Sequence, residues 1–292
     1  MNRALTAILL LCMLSASLIA VAEEDAAAIE EAGIVLMSGA EGGGYWNAGT
    51  RLQAVAEQEM NLPVRNVPST GSLQNLEELL DVDSPVNLVF AQADAAQYYL
   101  HAHPDDLVKI DLLENIGQEC VFIVTGVDSD IRTDKDMEKA SNLRLGIASK
   151  KSGMAATFDY MVSQVPELAK VKVKYGDTFA LMDKLNSKGS KVDAVMVVHR
   201  PREHSPEVDY ALANPNRYRF IELSDSRFTE DQWNGRKIYR TMKLALPGAD
   251  KPVKTICVVG LLLANKQKLT IAQRNQLSDL VSYHWMQVYA TQ

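Results

Sequence analysis

Residues 33–59 read GIVLMSGAEGGGYWNAGTRLQAVAEQE, and this stretch decides the fold. The apolar run at 33–38 is too short for a helix and reads as a buried strand. A glycine cluster, Gly42-Gly43-Gly44, follows it. Residues 48–59 then place Leu52, Val55 and Ala56 on one face at helical spacing. The same grammar repeats downstream. Residues 62–67 are a second strand, and Ser69-Thr70-Gly71-Ser72 opens a helix with Leu73, Leu76 and Leu80 inward. Residues 86–90 are a third strand, running into Gln92-Ala93-Asp94 and another helix. Strands alternating with helices predict a parallel sheet with helices on its faces.

A second series begins beyond the long apolar strand at 118–125 and the polar stretch at 128–136. Strands are expected at 143–148, 171–175 and 192–198, with a turn at 149–153 and helices at 154–165 and 178–186. Residues 201–215 read as polar and irregular, and 218–223 as a strand leaving the second unit. Two late strands, 239–246 and 254–263, flank the turn at Pro247-Gly248, and a helix from 269 to about 289 closes the chain. The fold class expected is therefore α/β and two-lobed, each lobe a mostly parallel sheet flanked by helices. Residues 23–125 form the first part of lobe I, 126–223 form lobe II, and 224–292 return to lobe I. Such a chain places a cleft at the carboxyl ends of its parallel strands, where open α/β sheets bind ligands.

Residues 1–22 stand apart. Arg3 gives a positive start, residues 4–22 lack charge, and Ala20-Val21-Ala22 precedes Glu23-Glu24-Asp25. That order predicts a secretory signal peptide cleaved before Glu23, and hence a periplasmic protein. An uncleaved anchor is disfavoured by Thr6, Ser15 and Ser17, and lipid attachment at Cys12 by the bulky Leu11 before it. The 30 basic and 37 acidic residues leave a net charge of -7, which argues against nucleic acid as a partner. Beyond the leader only Cys120 and Cys257 remain; one disulfide and two buried thiols fit equally well.

Polar and glycine residues gather where the cleft should lie. Gly43, Gly44 and Tyr45 follow the first strand, Ser69, Thr70 and Gly71 the second, and Gln92 and Asp94 the third. Ser149, Ser152 and Gly153 do the same in the second unit. Glycines admit a ligand to the backbone, and helix N-termini offer free N–H groups with partial positive charge. Each loop alone also suits an ordinary βα turn; together the four point to a small anionic or polar solute. Arg200, at the end of a strand, is a candidate bidentate partner for a ligand carboxylate, and a surface turn is its equal alternative. No nucleophile, base, metal cluster or cofactor loop can be assembled: Asn47 stands where a dinucleotide loop would have its third glycine, and neither a Gly-x-Ser-x-Gly nor a His-Glu-x-x-His motif occurs. A non-enzymatic binding protein without cofactor is the expectation.

Several segments also resemble one family. SGAEGGGYW at 38–46 resembles the glycine-rich first loop of the TAXI solute receptors of TRAP transporters. PSTGSLQNL at 68–76 and NLVFAQAD at 87–94 are similar to that family's second loop and third strand end, and 143–153, 255–263 and the closing helix also fit. The resemblance implies a type II periplasmic binding fold that closes two lobes on a small carboxylate such as glutamate or 2-oxoglutarate, for delivery to the membrane subunits of a TRAP transporter. Carried over by position, the contacts fall on Gly43, Gly44, Tyr45, Ser69, Thr70, Gly71, Gln92, Asp94, Ser149, Ser152 and Gly153. Glu41, Lys150-Lys151 and Met154-Ala155 depart from the family pattern, and Arg202, Glu203 and His204 have no counterpart in it. A ligand-sensing or partner-binding module of the same fold, with no transport role, is the alternative.

Overall fold

The computed structural model describes residues 33–187, 189–201, 205–233, 236–249 and 251–289. The leader with its cleavage site, and Arg202, Glu203 and His204, lie outside the described residues.

The opening stretch folds as its pattern dictates. Strand β1 (Ile34–Met37) is buried along its length, and helix α1 (Gly44–Met60) follows directly from the glycines. Next come β2 (Val64–Val67), α2 (Ser72–Leu80), β3 (Leu88–Gln92) and α3 (Ala93–Ala102). Strand β1 pairs in parallel with β2 on one side and β3 on the other. After a 3-10 turn at Pro104–Lys109 the chain enters β4 (Ile110–Gly126), far longer than the apolar run at 118–125.

Lobe II repeats the arrangement. Its elements are α4 (Asp134–Lys139), β5 (Arg144–Ile147), α5 (Gly153–Gln164), β6 (Lys172–Tyr175), α6 (Thr178–Met182) and β7 (Ala194–His199). Strand β5 is parallel to both β6 and β7. Helix α7 (Pro206–Ala213) and β8 (Tyr218–Ile221) lead out. A ribbon of β9 (Gln232–Trp233) and β10 (Arg236–Lys237) precedes β11 (Tyr239–Leu244) and β12 (Val253–Asn265). Helices α8 (Ile271–Tyr283) and α9 (Trp285–Tyr289) close the chain.

Two readings of the sequence need correction, and the polar stretch at 128–136 gains an element it was not given: the Thr133 hydroxyl accepts from Asp136 N–H and the Asp136 side chain returns the bond, a capping box that starts α4. Residues 201–215 contain α7, begun by Ser205 as N-cap with Pro206 at the first helical position. The closing helix is two, interrupted at His284.

The two parallel triplets are joined by antiparallel strands into one ten-stranded mixed sheet, β2-β1-β3-β12-β4-β7-β5-β6, with β11 on β12 and β8 on β4. One face is covered by α1 and α8, with Leu52, Phe90, Leu277 and Leu280 in its core. The core on the other face runs through both lobes, from Val35 and Val89 to Leu145, Ile147 and Phe158.

Strands β12 and β4 set Cys257 opposite Cys120, and the two are disulfide-bonded over a sequence separation of 137. The bond ties lobe I's return strand to the strand that enters lobe II. Closing so long a loop restricts the unfolded chain, worth about 5 kcal/mol in the chain-entropy account. Cys120→Ala/Cys257→Ala should lose about 2–4 kcal/mol of unfolding free energy in urea. Dithiothreitol should destabilise the wild type and leave the double variant unmoved.

Candidate functional site

The strand-end loops of both lobes meet at a small open cleft of about 160 Å³. Its wall is built largely from helix starts. Gly43 precedes α1, Gly71 precedes α2 and Gln92 precedes α3, and none of these three helices has a side-chain cap. In α1 and α2 the first N–H groups therefore lack the usual side-chain acceptor, while in α3 the Asp94 carboxylate accepts from Ala95 N–H at 2.7 Å. Helix α5, from lobe II, is capped by the Ser152 hydroxyl, which accepts from Ala155 N–H.

Local bonds fix these loops. Asn75, fully buried on α2, donates to the carbonyls of Ser38 (2.8 Å) and Phe90 (2.7 Å), clamping the ends of β1 and β3 together. The Ser72 hydroxyl accepts from Gln92 N–H at 3.2 Å. Gly71 has φ 131°, a backbone that L side chains rarely adopt. A Cβ there would stand 2.8 Å from Gly153 N, so the two lobes touch backbone to backbone. A Cβ on Gly153 would stand 2.0 Å from Gln92 Oε1, so the Gln92 amide fills the space a side chain would need. Outside, Lys151 of lobe II pairs with Glu77 of lobe I at 2.8 Å.

Gln92 is the most informative residue of the wall. Its side chain is 3% exposed, and its Nε2 has no hydrogen-bond partner. A buried donor without an acceptor costs about 1–3 kcal/mol. The Tyr45 hydroxyl is also buried and lies over Gly260. Burial, then the Glu119 carboxylate, hold its pKa well above the ordinary phenol value, so it stays a neutral donor.

Of the residues expected from sequence, Gly43, Gly44, Tyr45, Thr70, Gly71, Gln92, Ser152 and Gly153 line this space. Ser69, Ser149, Asp94 and Arg200 do not. The Ser69 hydroxyl accepts from Gly71 N–H, and the Ser149 carbonyl accepts from the Ser152 hydroxyl, so both shape their loops. Arg200 donates to the carbonyls of Ile116 (3.2 Å) and Tyr289 (3.1 Å) and lies 5.7 Å from the centroid of the Tyr289 ring. Its guanidinium holds the C-terminal helix rather than the cleft. Gly39, Ala40, Ser72, Glu119, Met154 and Val198 also line the wall and were not among the expected residues. Ser72 shares a loop with residues that were; Glu119 sits mid-strand with no local signal.

Asp94 is fully buried in the first turn of α3 and accepts from the Tyr239 hydroxyl at 2.6 Å. The carbonyl of Thr157, on α5 of lobe II, lies 3.3 Å from the same hydroxyl. Tyr239 thus stands between the lobes, with Asp94 as its acceptor. Burial raises the Asp94 pKa, although bonds from Tyr239 and Ala95 favour the charged form.

No protein-family model and no curated protein matches the chain. Among solved structures, the chain is similar to the cysteine-binding protein from Campylobacter jejuni, at 12% identity and TM-score 0.48 over 88% of this chain and 85% of that one. It is similar to an ancestral arginine-binding protein bound to arginine, at 14% and 0.47 over 88% and 96%. It is also similar to lactococcal OpuAC closed on glycine betaine, at 11% and 0.46 over 87% and 97%. At that overlap the solutes of those proteins say nothing about this one.

The Asp94 environment has a testable sign. A carboxyl whose folded pKa is raised binds its proton more tightly in the folded state. Its contribution is complete below the unfolded value of about 4 and is lost as pH rises through the folded pKa. Asp94→Asn keeps an acceptor for Tyr239 and cannot ionise. Its unfolding free energy relative to wild type should therefore rise with pH from about 4 upward, measured by urea titration at each pH. A pH-independent difference would contradict this environment.

Proposed function

We propose that this chain is an extracytoplasmic solute-binding protein that closes its two lobes on a small anionic solute of the carboxylate kind. The observation that carries the reading is the convergence of the uncapped starts of α1 and α2, the start of α5 and the Gln92 side chain on one cleft between the lobes. Backbone N–H groups at helix starts favour negative charge by geometry and by dipole. The space of about 160 Å³ suits a solute of a few heavy atoms. In this reading Gly43, Gly44, Gly71 and Gly153 let the solute reach the backbone, and Gln92 and Tyr45 supply side-chain donors. Glu119 adds a carboxylate to the wall, so the anionic group belongs at the helix starts, away from it.

The charge pattern of residues 1–25 supports export, and the Cys120–Cys257 bond suits an oxidising compartment. Delivery to the membrane subunits of a TRAP transporter follows from the resemblance to TAXI receptors. Glutamate and 2-oxoglutarate are the first solutes to test. The binding role requires no catalytic group.

Calorimetric titration with glutamate, 2-oxoglutarate and glutamine tests the reading. At least one of the two acids should bind with one-site stoichiometry and raise the melting temperature. Gln92→Ala should weaken that binding by about tenfold or more, the worth of a hydrogen bond to a charged group. Gly153→Ala should abolish it, because the new methyl would occupy the place of the Gln92 amide. Binding of neither acid, or equal affinity in the Gln92 variant, would reject the reading.

A further inference from the structure

A second cavity, of about 530 Å³, lies in the outer part of lobe II, away from the strand-end loops. Strand β8, the segment before α4, the end of α7 and the loop between β11 and β12 enclose it. Its size falls in the range of small-molecule sites, roughly 300–1,000 Å³. Phe220, Leu212 and Val253 give it an apolar wall, and Arg219, Arg132 and Lys251 give it a basic one.

Arg219 is out of balance with its surroundings. Its Nε and Nη2 are shielded from water and have no hydrogen-bond partner. Burial, then the neighbouring Arg132, push its pKa below the ordinary guanidinium value; Asp130 and Asp128 act the other way without bonding to it. Glu222 is the acidic side chain of the cavity wall, and it forms no ion pair with Arg219 among the described residues. Guanidinium groups nearby in the fold are matched: Arg144 pairs with Asp193, and Arg227 with Glu138, Glu167 and Asp225. Two like charges gathered at an apolar cavity, neither guanidinium bonded to a carboxylate among the described residues, call for an oxyanion.

We propose that this cavity is a second binding site, for a small organic anion whose oxyanion is held by Arg219 and Arg132 and whose apolar body lies on Phe220 and Leu212. A carboxylate or a phosphate monoester supplies the same chemistry. The site is independent of the interlobe cleft, since the two share no wall residue.

The probes are phenyl phosphate, phenylacetate and benzyl alcohol, titrated calorimetrically into the full chain. One of the two anions should bind saturably at one site, and which binds more tightly identifies the oxyanion. Benzyl alcohol, with the ring and no charge, should give no saturable heat. Arg219→Met and Arg132→Gln should each weaken the anion by about tenfold or more. Arg219→Met should melt no lower than wild type without ligand, because it removes shielded donors that have no acceptor. If that variant fails to fold, the exposed Arg132 still tests the site. Saturable binding of neither anion, binding of benzyl alcohol as tight as theirs, or affinity unchanged in the Arg132 variant would overturn the proposal.

Discussion

The antiparallel pairing of β4 with β12 is the constraint on which the rest depends. Lobe I's parallel triplet hangs on β12 through β3, and lobe II's hangs on β4 through β7. The two triplets are therefore joined into one sheet across one strand pair, cross-linked at Cys120–Cys257. The pair is irregular where it passes the cleft. Gly117 has φ 101°, and the register shifts between Val259 and Leu261. Gly260, at that shift, has room for the Tyr45 hydroxyl where a side chain would otherwise stand. A bulge at this point re-aims the strands toward the site without breaking the ladder on either side.

From that frame the chemistry of the cleft follows. Parallel strands deliver their helix starts to one end of the sheet, and the two triplets are placed so that these ends face each other. The chain then leaves three of those starts without side-chain caps and uses glycine at two of the capping positions. Glycine at a cap gives up a few tenths of a kcal/mol against Ser or Asp, and the unpartnered Gln92 amide costs about 1–3 kcal/mol more. In the proposed role, an acceptor placed between the lobes offsets the uncapped helix starts. The shared core beneath the sheet and the Asp94–Tyr239 bond pull the other way, holding the lobes together whether or not a solute is present.

The sequence was most legible where a single local force decides the outcome. The strand at 33–38, the glycine cluster and the helix after it stand out because apolar period and glycine geometry both act within a few residues. Strand β4 beyond its apolar half was illegible: Asp111, Glu114, Asn115 and Gly117 interrupt any alternation, and the segment is a strand because β12 lies beside it. The capping signals of Thr133 and Ser205 were present and local, and polar composition masked them. Candidate site residues divide in the same way. Glycines at helix starts go where topology sends them, whereas Asp94 and Arg200 are held off the cleft wall by Tyr239 and Tyr289, 145 and 89 residues further along. Polar type and strand-end position cannot separate Gln92 from Asp94; a distant hydroxyl does.

The central claim is that backbone N–H groups of both lobes close on one anion. Backbone amide resonances, followed while glutamate or 2-oxoglutarate is titrated into the labelled protein, test it most directly. The account predicts that the amides of Gly44, Tyr45, Ser72 and Gly153 shift together along one saturation curve, with those around Arg219 unmoved. Shifts confined to one lobe, or absent from these four amides at saturation, would contradict it.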